Sequence, residues 1–287
     1  MKVTISKPAD IVGAIHAAYE GLSAREKEVA DHILAAPGDI SMYPGSELAA
    51  RVGVSNSTIT RFVKRVGFES YEEMRLAARE ARQTGSPLFT ESQVAEAAEN
   101  GVVGRFADAE AACLRGALAD LSADKMQQVV AALLEARQVA FMGFRNSHFL
   151  ASYARRLVFQ FRGGTSLIPS SPGESIAERI ADLGKGDMAV VVAMRRTVRP
   201  MRDYVEALQA SGVRILLVTD PSVRILPTCA EWTITCPVEN PHVFDSYAGP
   251  MAALRLIAFE AFQRSGAKGR AHLARIETVH ERLDELS

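Results

Sequence analysis

The sequence predicts two parts in series: an all-helical N-terminal head, then an α/β body built on a doubly wound, five-stranded parallel sheet. Three observations carry that expectation. Every periodic segment up to about residue 82 repeats its apolar residues at helical spacing. Beyond residue 137, short apolar runs appear that do not alternate with polar residues, as befits strands buried on both faces. Helical segments separate those runs, the order that lays helices over a parallel sheet.

Taken in order, residues 1–10 read as a loose lead-in and Ile11–Glu20 as a first amphipathic helix. Ser23 and Glu26 form a capping box that starts a second helix, whose apolar positions are Val29, Ile33 and Leu34 and which Pro37-Gly38 ends. Ser46–Gly67 reads as two short helices joined by a tight turn at Gly53, and Tyr71–Arg82 as one more. Gln83–Pro87 is a breaker cluster and linker. Ala-rich helical segments follow over Glu91–Leu121, and Ser122 caps a helix over Ala123–Ala136. The five strand runs are Gln138–Met142, Thr165–Ile168, Met188–Ala193, Arg214–Thr219 and Trp232–Thr235. Between and after them, helices are expected over Ser147–Phe161, Glu174–Leu183, Met201–Ala210, Phe244–Arg264 and Lys268–Leu286. The domain division is therefore 1–82 for the head, 83–121 for the linker and connecting helices, and 122–287 for the body.

The bulk composition excludes several classes. With 287 residues, 48% hydrophobic and 23% charged, the chain has ample core. A net charge of −1 rules out a generic nucleic-acid binder, so any DNA affinity must come from a local basic patch. The three cysteines, Cys113, Cys229 and Cys236, form no CxxC pair or disulfide framework, which fits a reducing cytoplasm. No export signal or membrane span is expected, since runs such as Met188–Met194 are far too short to cross a bilayer. GxGxxG, GxxxxGK[ST] and GxSxG are absent, and His148 and His242 belong to no metal-ligand cluster. Neither cofactor nor metal is expected.

The Ser46–Gly67 stretch carries the strongest functional signal. Ser46 is placed to cap the first helix and Ser55 the second. Ile59, Phe62, Val63 and Val66 form the second helix's apolar stripe, leaving Asn56, Ser57, Thr58, Thr60, Arg61, Lys64 and Arg65 outside it. From Arg51 to Gly67 there are four cations and no acid, although a bare helix N-terminus favours acids through its dipole. That pattern suits the approach of a polyanion. The predicted DNA-binding set is Ser46, Ser55, Asn56, Ser57, Thr58, Thr60, Arg61, Lys64 and Arg65. Ser57, Thr58 and Thr60 are assigned to base edges or adjacent phosphates, and the three cations of the second helix to phosphates, Arg61 with guanine also in reach. Three phosphate contacts give a salt slope of about −2.7 per head.

In the body, two strand-end loops are chemically loaded. Gly143–Ser147 offers a sharp turn at Gly143, a helix-capping hydroxyl on Ser147, and donors on Arg145 and Asn146, as in an anion cradle. Arg195-Arg196-Thr197 follows a buried strand directly, where guanidinium groups suit carboxylate or phosphate recognition. The alternatives there are a solvated loop, or arginines meeting acids across a subunit interface. Glu174, at a third strand end, is placed to hydrogen-bond ligand hydroxyls or simply to favour a helix first turn. The effector set is Arg145, Asn146, Ser147, Glu174, Arg195, Arg196 and Thr197.

Over Leu22–Ile33, Glu47–Phe62 and Gly67–Tyr71 the head resembles the RpiR family of bacterial transcriptional regulators, and the body resembles that family's sugar isomerase (SIS) domain. The resemblance implies binding to a palindromic double-stranded operator and assembly as a homodimer or homotetramer. It further implies metabolite sensing by the body, often of a phosphosugar, and repression or activation of nearby catabolic genes. The loop after the third strand departs from the family's Ser-x-Ser-Gly-x-Thr pattern. It reads Ala193-Met-Arg-Arg-Thr-Val198, and only Thr197 remains. Arginines in place of small residues point to a small anionic effector other than a typical phosphosugar, such as a sugar acid or another carboxylate. The rival expectations are a body that only oligomerises and a SIS-type sugar-phosphate isomerase, for which Glu174 is the one carboxylate at the strand ends.

Overall fold

The computed structural model describes residues 11–83, 101–195, 197–223, 225–239 and 244–284. The chain divides into two units, 1–99 with 240–245 and 100–239 with 246–287.

In the first unit the described helices are α1 (Ile11–Ala18), α2 (Ala24–Ala35), α3 (Asp39–Met42), α4 (Gly45–Val52), α5 (Asn56–Val66) and α6 (Tyr71–Gln83). The capping box forms: the Ser23 N–H and hydroxyl both donate to Glu26 Oε2, at 2.8 and 2.7 Å. The four-residue α3 is not legible as periodicity because it is barely one turn long. Ile15, Val29, Ile33, Ile40, Leu48, Phe62, Val63 and Met74 meet in one fully buried core. That core clamps α4 and α5 against α1, α2 and α6.

The second unit holds the sheet: β1 (Val139–Gly143), β2 (Thr165–Ile168), β3 (Met188–Ala193), β4 (Arg214–Thr219) and β5 (Trp232–Thr235), all parallel, in the order β2-β1-β3-β4-β5. Its helices are α7 (Gly101–Ala119), α8 (Ala123–Glu135), α9 (Asn146–Phe159), α10 (Ile176–Ala181), α11 (Met201–Ala210) and α12 (Ala248–Leu283). Alternate strand residues feed opposite cores, which explains the unalternating runs. Phe141, Val190, Val192, Leu216 and Val218 pack with residues of α8, α9 and α12. Met142, Val191, Ile215 and Leu217 face α10 and α11 instead.

Two expectations change. Gly101–Ala119, read as a connecting helix, packs on α12 as part of the body: a Cβ on Gly249 would lie 2.8 Å from Cys113 O and 2.9 Å from Ala117 Cβ. The break expected between the two C-terminal helices falls at Gly266, whose backbone (φ 61, ψ −138) is non-helical within Ala248–Leu283, but the first of them starts at Ala248, since Phe244–Tyr247 are not helical. Residues 1–10, most of the Gln83–Pro87 linker and His242 lie outside the described residues. Among the described residues, no helix is long and apolar enough to cross a membrane.

Candidate nucleic-acid interface and strand-end site

The turn between α4 and α5 forms as the sequence requires. Gly53 takes a left-handed backbone (φ 77), which lets Val54 N–H reach Ala49 O at 2.9 Å and close α4. Ser55 caps α5, its Oγ accepting from Thr58 N–H at 3.2 Å. At about 100° per residue, Asn56, Ser57, Thr60, Arg61 and Lys64 share one arc of the helix, opposite Ile59, Phe62, Val63 and Val66. The first five are exposed and the last four buried. The Thr60 hydroxyl donates to Asn56 O at 3.0 Å, which leaves its lone pairs outward.

Three residues of the predicted DNA-binding set stand elsewhere than expected. Ser46 does not cap α4. It is the second residue of that helix, and Pro44 holds the N-cap position with no side-chain bond. Thr58 is buried, with its hydroxyl 2.9 Å from Ser55 Oγ, so it braces the turn instead of facing outward. The signal was its i,i+4 relation to Phe62, which puts it on the stripe's flank. Arg65 sits on the border of the exposed arc and turns back onto α2: its Nε is 3.4 Å from Glu26 Oε1, and a guanidinium N–H donates to Gly21 O. Burial alone would raise the Glu26 pKa, but the Ser23 donors, Arg65 and Arg61 together hold it below its ordinary 4.5. Arg51 is likewise engaged, stacked 3.7 Å over the Tyr43 ring and 3.6 Å from Glu47. Arg61 and Lys64 are therefore the cations best presented for phosphates.

In the body, β1 and β2 run to one side of the order reversal and β3, β4 and β5 to the other. The switch point lies between β1 and β3, where open α/β sheets bind ligands beyond the strand carboxyl ends. Gly143 ends β1 there, but its role differs from the expected turn. A Cβ at Gly143 would lie 2.4 Å from Ser147 O, so glycine is needed for close approach. The turn itself falls on Arg145, exposed and held at φ 56, ψ −128. A non-glycine residue there stores backbone strain of about 1–3 kcal/mol. Ser147 does not cap α9. It is buried, and its Oγ accepts from Met194 N–H at 3.3 Å, tying the β1 loop to the end of β3. Asn146 is exposed and donates to Tyr247 Oη at 3.4 Å.

The arginine loop is also unlike a solvated loop. Arg195 is buried, its side chain 4% exposed, with Glu239 Oε2 at 3.7 Å from its guanidinium. Its backbone N–H donates to buried Asp220, whose other oxygen accepts from Ser222 N–H at 2.9 Å. Thr197 is half-buried, and Arg196 lies outside the described residues. Glu174 is bound within its own loop: it accepts from Ser170 N–H and Oγ (2.9 Å) and lies 3.5 Å from Arg179, and the Ser170 N–H in particular keeps its pKa low. The structure thus gathers Ser147, Arg195, Asp220 and Glu239 around the ends of β1, β3 and β4. Asp220 was findable as the residue directly after a strand run. Glu239 was not, because no strand end or motif marks it.

Comparison with known proteins bears on both parts. Residues 10–85 match the family model described as "Helix-turn-helix domain, rpiR family", and residues 132–259 match the SIS domain. The chain is 22% identical over 273 residues to the HTH-type transcriptional regulator HexR of Pseudomonas aeruginosa, covering 93% of this chain and 94% of that protein. It is 23% identical over 270 residues to HexR of Escherichia coli K12, covering 92% and 91%. Among solved structures, the Vibrio vulnificus NanR protein complexed with ManNAc-6P matches with a TM-score of 0.57 and 14% identity, over 96% of this chain and 99% of NanR. The sugar isomerase domain of an RpiR transcription factor from Sphaerobacter thermophilus matches with a TM-score of 0.57 and 19% identity, over 63% and 99%. Both support the fold.

Proposed function

We propose, for a chain that belongs to the RpiR family of helix-turn-helix transcriptional regulators, that a homo-oligomer reads a double-stranded operator through paired α5 helices and that a small anionic metabolite at the β1/β3 switch point alters operator affinity. The observation that carries this reading is the exposed arc Asn56, Ser57, Thr60, Arg61 and Lys64, free of acids, at the start of a helix capped by Ser55. Its N-terminal residues reach base edges and its cations reach flanking phosphates. Two copies read two half-sites about one helical turn apart. The metabolite part rests on Arg195, a guanidinium held at a strand end beside the Ser147 and Asp220 anchors. NanR, similar in fold, was solved with a phosphosugar. The anion here is a phosphosugar, a sugar acid or another carboxylate, and the protein acts in the cytoplasm.

A sugar-phosphate isomerase is the weaker reading. Such an enzyme needs a free general base over its substrate, whereas Glu174 is occupied by Ser170 and Arg179. The test is a mobility shift on selected duplexes with and without phosphosugars and sugar acids. A retarded complex that one of these anions shifts by about 5–150-fold in affinity supports the regulator. A complex indifferent to every such anion removes the effector from the reading.

A further inference from the structure

We propose that the C-terminal end of α12 docks in the groove between α9 and α12 of a second copy, and that two chains exchange these segments about a two-fold axis. This rests on the homo-oligomer reading and names the contact behind it.

The groove is apolar, open and free of acids. Two adjoining cavities, of about 530 and 210 Å³, run between α9 and the first half of α12 and share Arg255 and Phe259 on their walls. Tyr153, Met251 and Leu256 line the larger, and Leu157 and Phe262 the smaller. Phe149, one turn before Tyr153, is 71% exposed, and Phe259 is 53% exposed. At about 200 Å² per aromatic side chain, the uncovered parts of those two rings come to roughly 250 Å². A two-fold exchange counts that patch twice. The sum is roughly a third of a standard interface of about 1,600 Å², before the tails and the rim are added. Neither Asn146–Phe159 nor residues 248–259 contain an acid. Arg156, one turn beyond Tyr153, and Arg255 are both exposed, and neither meets a carboxylate among the described residues.

The end of α12 supplies the complement. Gly266 breaks the helix, and beyond Gly269 none of its described residues is buried. His272 and Leu273 anchor this tail at its base: His272 Nε2 lies 3.1 Å from Phe159 O, and Leu273 lines the smaller cavity. No residue beyond Leu273 lines either cavity, so the chain's own tail leaves its groove open. A helix this short is marginal in water unless one face is packed. Ile276, Val279 and Leu283 fall within about 60° of the helix circumference, and the last two are exposed. Glu277 and Glu281 flank that stripe on one side and meet no cation among the described residues. An apolar stripe edged by unpaired acids therefore fits an apolar groove edged by unpaired arginines, and a second copy brings the two together.

The test is sedimentation velocity on the full chain and on two charge-reversed variants. One carries Arg156→Glu with Arg255→Glu in the groove, the other Glu277→Arg with Glu281→Arg in the tail. Circular dichroism melts report whether each folds. Wild type should sediment as an even-numbered assembly. Each variant should fall to half that mass, with association weakened by about tenfold or more. Mixing the two variants pairs each intact tail with an intact groove and each reversed tail with a reversed groove, so the mixture should regain the wild-type mass. If a reversed variant does not fold, Leu283→Asp, at an exposed position, takes its place and should halve the mass as well. Variants that keep the wild-type mass, or a mixture that stays at half of it, overturn the exchange and leave the oligomer to another surface. A monomeric wild type overturns the oligomer reading, and the exchange with it.

Discussion

Replacing Arg61 and Lys64 together by alanine separates the DNA-facing cations from the structural one. Both are exposed on the arc opposite the buried stripe, whereas Arg65 is drawn back to Glu26 and Gly21 O. Each phosphate neutralised contributes about −0.9 to the slope of log affinity against log salt, so two cations contribute about −1.8 per head instead of the −2.7 or so expected from three. Relative to 1 M salt, two such contacts are worth about thirtyfold in affinity per head at about 0.15 M. Arg65→Ala should leave the slope within a few tenths of wild type. Its cost falls on the fold, and since the Arg65 side chain is 54% exposed, that cost is under about 1 kcal/mol. The assay is fluorescence anisotropy of a labelled duplex at four or five salt concentrations, beside thermal melts of each variant. A slope that falls by about 0.9 per head in Arg65→Ala, or one unchanged in the double variant, would refute this division of labour.

The remaining predictions concern the fold that holds these surfaces. Phe62→Ala empties a fully buried position at the centre of the head core and should cost about 3–5 kcal/mol, read by chemical denaturation, with loss of duplex binding. Because Glu26 has a depressed folded pKa, its bonds stabilise the head fully above the ordinary value of 4.5, and that contribution is lost as pH falls through the lower folded value. Melting temperature should therefore drop more steeply between about pH 5 and pH 3 in wild type than in Glu26→Gln. Arg145→Gly relieves a positive φ and should stabilise the body by roughly 1 kcal/mol in denaturant titrations. Gly143→Ala drives a methyl group into the Ser147 backbone and should destabilise by about 1–3 kcal/mol or more.

Much of the fold was legible because it depends on local chemistry. Four of the five strands span the residues their runs mark, and the other, β1, lies one residue further on; the interior strands β1, β3 and β4 need continuous apolar side chains and little else, while the edge strands β2 and β5 are only partly buried. Ser23 with Glu26, Gly53 and Ser55 could be read because caps and turns act within four residues. The errors have one origin in side-chain direction. Thr58 and Arg65 lie about 20° apart on one border between the polar arc and the apolar stripe, where the partners each finds decide which way it turns. Ser147 looked like a helix cap, but the N–H it accepts belongs to Met194, on another strand. Arg195 and Glu239 are 44 residues apart by their numbering, and no local pattern announces such a pair. The membership of α7 in the body is likewise set by packing against α12, a contact that helical periodicity does not encode.

The most direct measurement is selection of bound duplexes from a random library by the full chain, followed by sequencing. If paired α5 helices read DNA, the enriched sequences will be inverted repeats with half-site centres about 10 base pairs, or a multiple of that, apart. Substitutions at Ser57 or Thr60 will then change the preferred bases within each half. Enrichment without any repeat, or none above background, would contradict the claim that the exposed arc of α5 is the reading surface of a symmetric assembly.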